Sequence, residues 1–282
     1  MKIYYLFLLN MREYLDKYYT KKEIANKCCS IFSKKIKIDH DNDIVIEPSA
    51  GNGSFIKPLK KMCKKRLFID ISPEHKEVQQ CDFLKVAKED ICKNKNINKI
   101  HVLGNPPFGF KSSSAIAFIK HACTFCDTFC FILPKSFNKS SMKKTVPLNF
   151  HLIYSYNLPE NSFLKSNEPY NVNCVCQIWK KQNTLRKILP KEKPKFYSFT
   201  NNPSNANIAI RRVGYNTGRI FTDDLQRKNK NSHYFIKLDD EEDKKLLSNI
   251  NLKSSNDVTG PKSLSKHDII LSLNKMISKK PK

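Results

Sequence analysis

Asn105-Pro106-Pro107-Phe108 is the segment of this chain whose residue types are best suited to chemistry. It follows the apolar run His101-Val102-Leu103-Gly104, a pattern typical of a buried strand. The two prolines fix their own φ angles and hold the preceding residue extended, so the turn is stiff. The Asn105 side-chain oxygen and a backbone carbonyl can then accept both hydrogens of one planar NH2 group, while Phe108 stacks on the ring that carries it. The structural alternative is a plain turn that closes a strand, with Phe108 in the core.

A glycine turn follows an earlier apolar strand. Ile44-Val45-Ile46 predicts a short buried strand, and Gly51-Asn52-Gly53 follows it, ahead of a helix. A dinucleotide fingerprint needs a third glycine where Ile56 stands, so that interpretation is weak. Glu47 ends the strand and places a carboxylate beside the turn. A carboxylate repels a pyrophosphate but suits a ligand that carries an ammonium or a sulfonium group.

Two further acidic positions extend this description of a ligand. Asp70 ends a second predicted strand, Leu67-Phe68-Ile69, where it can accept hydrogen bonds from ribose hydroxyls. Asp82 with Phe83, in another acidic turn, can read an adenine amino group and cover the face of its ring. A ligand with cationic, ribose and adenine portions describes S-adenosyl-L-methionine (AdoMet).

The order of elements predicts an α/β fold. Strand patterns at 99–103 and 129–133 alternate with a helical pattern at 115–126, and 152–154 with 172–179 predict a closing antiparallel pair. This alternation indicates a mostly parallel, doubly wound sheet whose ligands bind at the carboxyl ends of the strands. Thr20 with Glu23 predicts a capping box at the start of an N-terminal helix.

The texture of the sequence changes after residue 180. We therefore predict a catalytic domain at 1–180 and a small basic C-terminal extension at 181–282, a possible nucleic-acid recognition region. Residues 180–200 are rich in Lys and Pro and predict a linker or surface loop. Two strand patterns, 208–213 and 219–221, predict a β-hairpin. An acidic helix is predicted from 239, and a frayed tail from 275.

Charge and cysteine spacing limit the class of partner. Fifty-one Lys and Arg against 26 Asp and Glu give a net charge of +25, which favours DNA or RNA as a partner; a lysine-rich proteome is the alternative explanation.

Of the ten cysteines, Cys123 and Cys126 form a lone CxxC pair that lacks the second pair of ligands a zinc site needs. We therefore expect no metal, and buried thiols in a reducing compartment.

The N-terminal segment is apolar but short. No apolar run reaches the ~20 residues of a membrane span, and residues 1–9 lack the small-residue cleavage site of a signal peptide. Met11 is an alternative start, which would make the first ten residues an extension of no importance. We therefore expect an intracellular protein, cytoplasmic or nuclear, that is not secreted and has no membrane partner.

Taken together, these motifs resemble the class I AdoMet-dependent methyltransferases of the N6-adenine type, with a motif order like the gamma class. The resemblance covers roughly residues 14–180 and implies a Rossmann-like class I methyltransferase fold. It also implies roles for the matching residues. The cofactor-binding positions would be Tyr19, Thr20, Glu47, Pro48, Ala50, Gly51, Gly53, Phe55, Asp70, Ile71, Asp82, Phe83 and Asn105, and the catalytic positions Asn105, Pro106, Pro107 and Phe108.

One departure from the gamma class leaves the substrate open. Enzymes of that class usually carry a large target-recognition domain, and only about a hundred residues follow the motifs here. The segment Asn105 to Gly109, and 157–163 further on, also resemble small ribosomal-RNA adenine methyltransferases. We expect a nucleic-acid substrate, with DNA slightly favoured over RNA. The alternatives are methylation of rRNA guanine N2 or of a protein glutamine, and a non-catalytic subunit that binds AdoMet and nucleic acid.

Overall fold

The computed structural model describes residues 18–93, 96–187, 192–248, 250–253 and 261–278. The chain divides into two compact units, residues 1–187 and 188–282. The sequence predicted a division at 180/181, which falls inside the last strand of the first unit. The roles assigned to the two domains stay predictions. Met11 and the rest of the segment 1–17 lie outside the described residues.

The first unit is built on a seven-stranded sheet in the order β4-β3-β2-β5-β6-β10-β7. The first five strands in this order, β4, β3, β2, β5 and β6, run parallel to one another. Strand β10 lies between β6 and β7 and is antiparallel to both. This arrangement confirms the predicted doubly wound sheet of the Rossmann-like class I methyltransferase fold, closed by an antiparallel strand. The strands of this unit are β1 (Tyr19–Thr20), β2 (Ile44–Glu47), β3 (Lys65–Asp70), β4 (Gln79–Gln80), β5 (Ile100–Gly104), β6 (Thr128–Pro134), β7 (Phe150–Asn157), β8 (Phe163–Lys165), β9 (Glu168–Tyr170) and β10 (Cys174–Lys181).

Both faces of the central strands are buried, which explains their continuous apolar runs. In β6 the side chains of Phe129, Phe131 and Leu133 join one hydrophobic cluster, while Cys130 and Ile132 join the other. This division follows from the two-residue period of a strand. Each large side chain removed from water in this way contributes about 1.5–3 kcal/mol. The helices of the unit are α1 (Lys22–Lys35), α2 (Ile56–Met62), α3 (Lys88–Cys92), α4 (Ser113–Phe125) and α5 (Ser140–Lys143).

A small second sheet fixes the residues that precede α1. Strand β1 pairs with β8, and the backbone N–H of Lys21 donates to the Ser162 carbonyl at 3.1 Å. The predicted capping box is wrong, because this pairing holds Thr20 in an extended strand and Lys21 takes the N-cap position without a side-chain cap. The Thr20 hydroxyl is therefore buried without a hydrogen-bond partner.

The second unit is a folded α+β unit. Its strands are β11 (Tyr197–Thr200), β12 (Ile208–Arg211), β13 (Ile220–Phe221) and β14 (His233–Leu238), all antiparallel in the order β11-β14-β12-β13. Helices α6 (Glu241–Ser248) and α7 (Lys266–Ile277) accompany the sheet. A hydrophobic core with Ile208, Ile236, Leu247 and Leu273 holds the unit together.

The outcome of the sequence predictions for this unit is mixed. The hairpin is confirmed, because β12 pairs with β13, and the acidic helix is present as α6. The linker prediction for 180–200 is wrong at both ends, where β10 and β11 lie. The frayed tail is wrong for residues up to 277, because α7 packs Leu273 and Ile277 into the core. The start of α7 carries a capping box, Ser265 with Asp268, that was visible in the sequence.

The cysteines and the helices add two observations. All ten cysteines are free thiols and eight of them are buried. Within the described ranges, no group of three or more His, Cys, Asp or Glu residues is placed to hold a metal ion. None of the helices in these ranges is long and apolar enough to cross a membrane.

Candidate active site

The candidate site lies where the strand order of the large sheet reverses. Strands β2 and β5 are neighbours there, although β3 and β4 come between them in sequence. Glu47 ends β2, and Asn105 follows β5 directly. A Cβ atom at Gly104 would lie 3.3 Å from Cγ of Glu47, so the absence of a side chain there lets the two strand ends approach. In open α/β sheets, ligands bind in the crevice at such a point.

The glycine turn is tied to the end of β3 by its backbone. The Ala50 N–H donates to the Ile69 carbonyl at 3.0 Å, and the Gly51 N–H donates to Oδ2 of Asp70 at 2.8 Å. The other oxygen of this carboxylate accepts the Ser72 N–H at 2.8 Å. Gly53 has φ of +83°, a left-handed conformation that side chains disfavour. Asp70 is thus held rigidly at the strand end and is only partly buried.

Three buried oxygen atoms in these segments have no hydrogen-bond partner. They are Oγ1 of Thr20, Oε2 of Glu47 and Oδ1 of Asn105. A buried polar atom without a partner costs about 1–3 kcal/mol, so such atoms need an explanation. Polar ligands that reached these atoms would supply the missing donors. The residue set therefore fits a ligand with a cationic group and several hydrogen-bond donors.

Glu47 is a fully buried acid of the crevice. Its side chain is 2% exposed, and burial, followed by the negative charge of Asp70, raises the pKa of Glu47 well above its usual range. A buried carboxylate in this position is stabilised by a positively charged neighbour. The site is accordingly suited to a cation and unsuited to a phosphate.

The tetrapeptide after β5 is held by contacts on both sides. The amide nitrogen of Asn105 donates to the Tyr18 carbonyl at 3.4 Å, and its backbone carbonyl accepts the Ser49 hydroxyl at 3.0 Å. The first contact orients the amide so that Oδ1 is the atom left for a ligand. Pro106 is buried and Pro107 exposed. Phe108 is half-buried against the core, and its carbonyl accepts the Ala115 N–H at the start of α4.

The residues predicted to bind the adenosine part of the cofactor differ in burial and in contacts. Asp82 caps a short 3-10 helix by accepting the Leu84 N–H at 3.0 Å. Phe83 is 2% exposed and packs in the core among Phe118, His121 and Phe125, so its side chain serves the core. Ile71, by contrast, is 68% exposed next to Asp70.

The remaining predicted positions are mostly buried. Pro48, Ala50 and Phe55 are all buried, and Phe55 belongs to a hydrophobic cluster. Contacts of these residues and of Phe83 with a cofactor stay predictions.

Sequence reasoning predicted Tyr19 but missed two residues that shape the crevice, Glu74 and Ser49. The Tyr19 hydroxyl donates to Oε1 of Glu74 at 2.6 Å, and Cε1 of its ring would lie 3.5 Å from a Cβ atom at Gly51. Tyr19 therefore forms one wall of the glycine turn, with Glu74 behind it. Ser49 supports Asn105. No local pattern marks such residues, because their partners lie 55 or 56 positions away in sequence.

Comparisons with solved structures give matches of low sequence identity. No protein-family model matches the sequence, and no curated protein matches it. The chain is similar to a structure assigned as the modification subunit of a type I restriction enzyme of Vibrio vulnificus YJ016, with 13% identity and a TM-score of 0.45. That alignment covers 64% of this chain and 48% of the other, so the chain spans about half the length of that subunit.

Two further similar structures are assigned to RNA methylation. One is an assigned RNA methyltransferase of Pyrococcus horikoshii, with 13% identity, a TM-score of 0.45 and coverage of 60% of this chain and 89% of that one. The other is the 23S rRNA methyltransferase ErmE, with 12% identity, a TM-score of 0.42 and coverage of 60% and 71%. Because these TM-scores lie below 0.5, the fold is assigned from the observed strand order and not from these similarities.

Proposed function

We propose that this protein is an AdoMet-dependent methyltransferase that acts on the N6 amino group of adenine in nucleic acid, with DNA slightly favoured over RNA. The observation that carries the proposal is the set of three unpartnered buried oxygens, on Thr20, Glu47 and Asn105, around the reversal point of the sheet. Their positions match those at which the sequence resembles the cofactor and catalytic motifs of this family.

Three groups of the chain would hold the cofactor. Glu47 would be ionised and would attract the positive charge of the cofactor. Asp70 would accept hydrogen bonds from the ribose hydroxyls, and the Thr20 hydroxyl would form a hydrogen bond with the polar end of the cofactor. Asp70 is already fixed by two backbone N–H groups, which reduces the entropy lost on binding. When bound, AdoMet supplies an electrophilic methyl group on a sulfonium sulfur.

The tetrapeptide would prepare the amine for attack. The lone pair of an adenine amine is delocalised into the ring, which makes the nitrogen a poor nucleophile. Oδ1 of Asn105 and the Pro106 carbonyl would accept its two N–H bonds and stabilise the positive charge that develops on the nitrogen. The nitrogen would bond to the methyl carbon as the carbon–sulfur bond breaks, and one proton would leave to water. Phe108 would stack on the ring and hold it in line.

The net charge of the chain supports a nucleic-acid substrate. A net charge of +25 suits a polyanion better than a protein glutamine. A base paired in a duplex would have to be flipped out, at a few kcal/mol, whereas a looped or single-stranded base needs less.

The decisive experiment supplies labelled AdoMet with separate pools of DNA and RNA and identifies the methylated nucleoside by mass spectrometry. We expect N6-methyldeoxyadenosine from DNA or N6-methyladenosine from RNA. Methylation of guanine N2 in either pool, with no methylated adenine, would refute the adenine assignment. No AdoMet binding, measured by equilibrium dialysis, would refute the cofactor assignment as well.

A further inference from the structure

A basic cavity lies in the second unit, at the end of the sheet where β11 and β12 finish and β14 begins. Its volume is about 320 Å³. We call it the basic cavity throughout. The residues that line it are Phe199, Thr200, Asn201, Arg212, Lys230, His233, Tyr234, Phe235 and Lys266.

The lining carries three cations and no carboxylate. Arg212 follows β12, Lys230 precedes β14 and Lys266 begins α7, so the fold gathers them from three separate segments. Within the part of the chain that the structure describes, none of the three forms an ion pair. Charges collected from distant segments without acidic partners repel one another. An anionic ligand would relieve this repulsion.

Aromatic rings hold two of these cations in place. The Arg212 guanidinium lies 4.8 Å from the ring centroid of Tyr234, and Nζ of Lys266 lies 4.3 Å from that of Phe199. The two rings pack edge to face, with centroids 5.9 Å apart. A ring face orients a cation without neutralising it, so both charges stay available to a ligand.

A second, shallow depression adjoins the basic cavity and is open to solvent. It shares Phe199 and Lys266 with the basic cavity. Its one carboxylate, Glu192, accepts a hydrogen bond from the Asn274 amide at 2.9 Å. The two together are therefore longer than a single phosphate group requires, and they are positive at the end that Arg212 and Lys230 line.

We propose that the basic cavity binds phosphate groups along a strand of nucleic acid. Arg212, Lys230 and Lys266 would contact successive phosphodiesters, and the aromatic rings would keep the first and last of these cations directed at the strand. The identity of the polyanion rests on the proposed function of the first unit. The cavity itself rests on the second unit alone.

The test uses the full-length protein and a fluorescein-labelled single-stranded oligonucleotide, as DNA and as RNA. The variant K230E/K266E reverses two exposed charges of the cavity, so it buries no new charge. The matched control, K245E/K275E, reverses two exposed lysines outside the lining. We expect the cavity variant to lose at least threefold more affinity than the control. We also expect its slope of log affinity against log salt to fall by about 1.4, at ~0.7 per lost phosphate contact.

A milder pair of variants keeps the result interpretable. R212Q removes one charge from the cavity, and R227Q removes one from an exposed position outside it. R212Q should lower the affinity for the oligonucleotide more than R227Q does, and neither substitution should change the thermal unfolding midpoint. Equal losses in cavity and control variants, in either pair, would overturn the proposal.

Two further readouts separate the possible failures. AdoMet binding is measured on the same variants and should not change. If the wild-type protein binds the oligonucleotide but methylates neither the DNA nor the RNA pool, the proposed function is refuted and the cavity assignment stands. Competition with inorganic phosphate and with ATP identifies the source of the phosphate. Displacement of the oligonucleotide by micromolar ATP would show a nucleotide site and overturn the strand assignment.

Discussion

The two units of this chain offer opposite charges to their ligands. In the first unit Glu47 and Asp70 end strands β2 and β3, and Asp82 caps the short helix that follows β4, in a chain with a net charge of +25. The basic cavity of the second unit has Arg212, Lys230 and Lys266 and no carboxylate. The difference teaches that net charge describes what the whole chain attracts, whereas local sign decides which ligand each site accepts. A sulfonium and a phosphate would each find a matching environment.

The two sites also differ in burial. In the first unit three acceptor oxygens, on Thr20, Glu47 and Asn105, are buried and lack hydrogen-bond partners that a ligand would supply. The lysines of the basic cavity are exposed to water and lose little without one. We therefore expect substitutions in the first unit to change chemistry and cofactor affinity, and substitutions in the second to change nucleic-acid affinity. Each prediction below tests this separation.

Asn105→Ala should have the largest effect. It removes the acceptor Oδ1, and loss of one preorganised hydrogen bond to the transition state typically lowers kcat by about 10²–10³-fold. AdoMet and oligonucleotide affinities should stay near wild type. The control is Asn98→Ala, an exposed asparagine ahead of the same strand β5. Methyl transfer at a near wild-type rate in N105A would refute the proposed mechanism.

Asn274→Ala tests the second unit alone. The Asn274 side chain is 4% exposed; it accepts from the Lys195 N–H and the Tyr197 hydroxyl, both at 3.1 Å, and donates to Glu192 and the Lys193 carbonyl, both at 2.9 Å. Truncation removes all four of these hydrogen bonds from a buried position, so we expect the free energy of unfolding to fall by about 2–3 kcal/mol.

Calorimetric unfolding and oligonucleotide titration measure the consequence of Asn274→Ala. Nucleic-acid affinity should fall, because Glu192, Lys193 and Tyr197 line the depression next to the basic cavity. AdoMet affinity should not change, and the exposed Asn216→Ala serves as control. A parallel loss of AdoMet binding would contradict the separation of the two sites.

Glu47→Gln should move stability and cofactor affinity in opposite directions. The folded-state pKa of Glu47 is raised, so the folded protein without ligand binds more protons than the unfolded chain, and its stability falls as pH rises from the ordinary carboxyl range through the raised pKa. Glutamine removes this dependence, and we expect about 1 kcal/mol of added stability at neutral pH. AdoMet affinity should fall about tenfold with the lost charge, which is about 1.4 kcal/mol.

The same group predicts a pH dependence of cofactor binding. Ionised Glu47 favours a cationic ligand, so AdoMet affinity should decrease as pH falls through the raised pKa, and Glu47→Gln should flatten that profile. Isothermal titration between about pH 5 and 8 measures the AdoMet affinity of the wild type and of Glu47→Gln, with the exposed Glu160→Gln as control. An identical pH profile in wild type and E47Q would show that Glu47 does not face the cation.

Phe110→Ala should have the smallest effect. Its ring is 76% exposed two residues after Phe108, with Nζ of Lys111 5.0 Å from the ring centroid. Gly109, Lys111 and Ser112 all have positive φ angles, so the loop holds the ring outward in a strained conformation. If the ring stacks on a base next to the target, KM for an oligonucleotide should rise about fivefold, equivalent to about 1 kcal/mol. Leu185→Ala, 66% exposed in the same unit, should leave KM unchanged.

Periodicity predicted the central strands of the first unit, whereas in the second unit it predicted the β12–β13 hairpin but missed β11. Strands β2, β5 and β6 are buried on both faces, which gives apolar runs that only a covered sheet explains. The second unit alternates short strands with polar loops, and β11 lies in a Lys- and Pro-rich stretch whose composition favours a linker. Its core forms only when α7 covers the sheet, a contact between segments far apart in sequence.

The amino-acid sequence by itself determined the chemistry at the strand ends. An Asn-Pro-Pro-Phe turn is stiff wherever it occurs, and a carboxylate directly after a buried strand lies at the carboxyl edge of a parallel sheet. Tertiary structure alone decided which of these groups are left without partners. Thr20 is buried because β1 pairs with β8, Asn105 is oriented by the Tyr18 carbonyl, and the cations of the basic cavity meet because three segments end at one edge of a sheet. Local sequence specifies residue types and backbone stiffness, whereas burial and charge environment arise only when distant segments pack together.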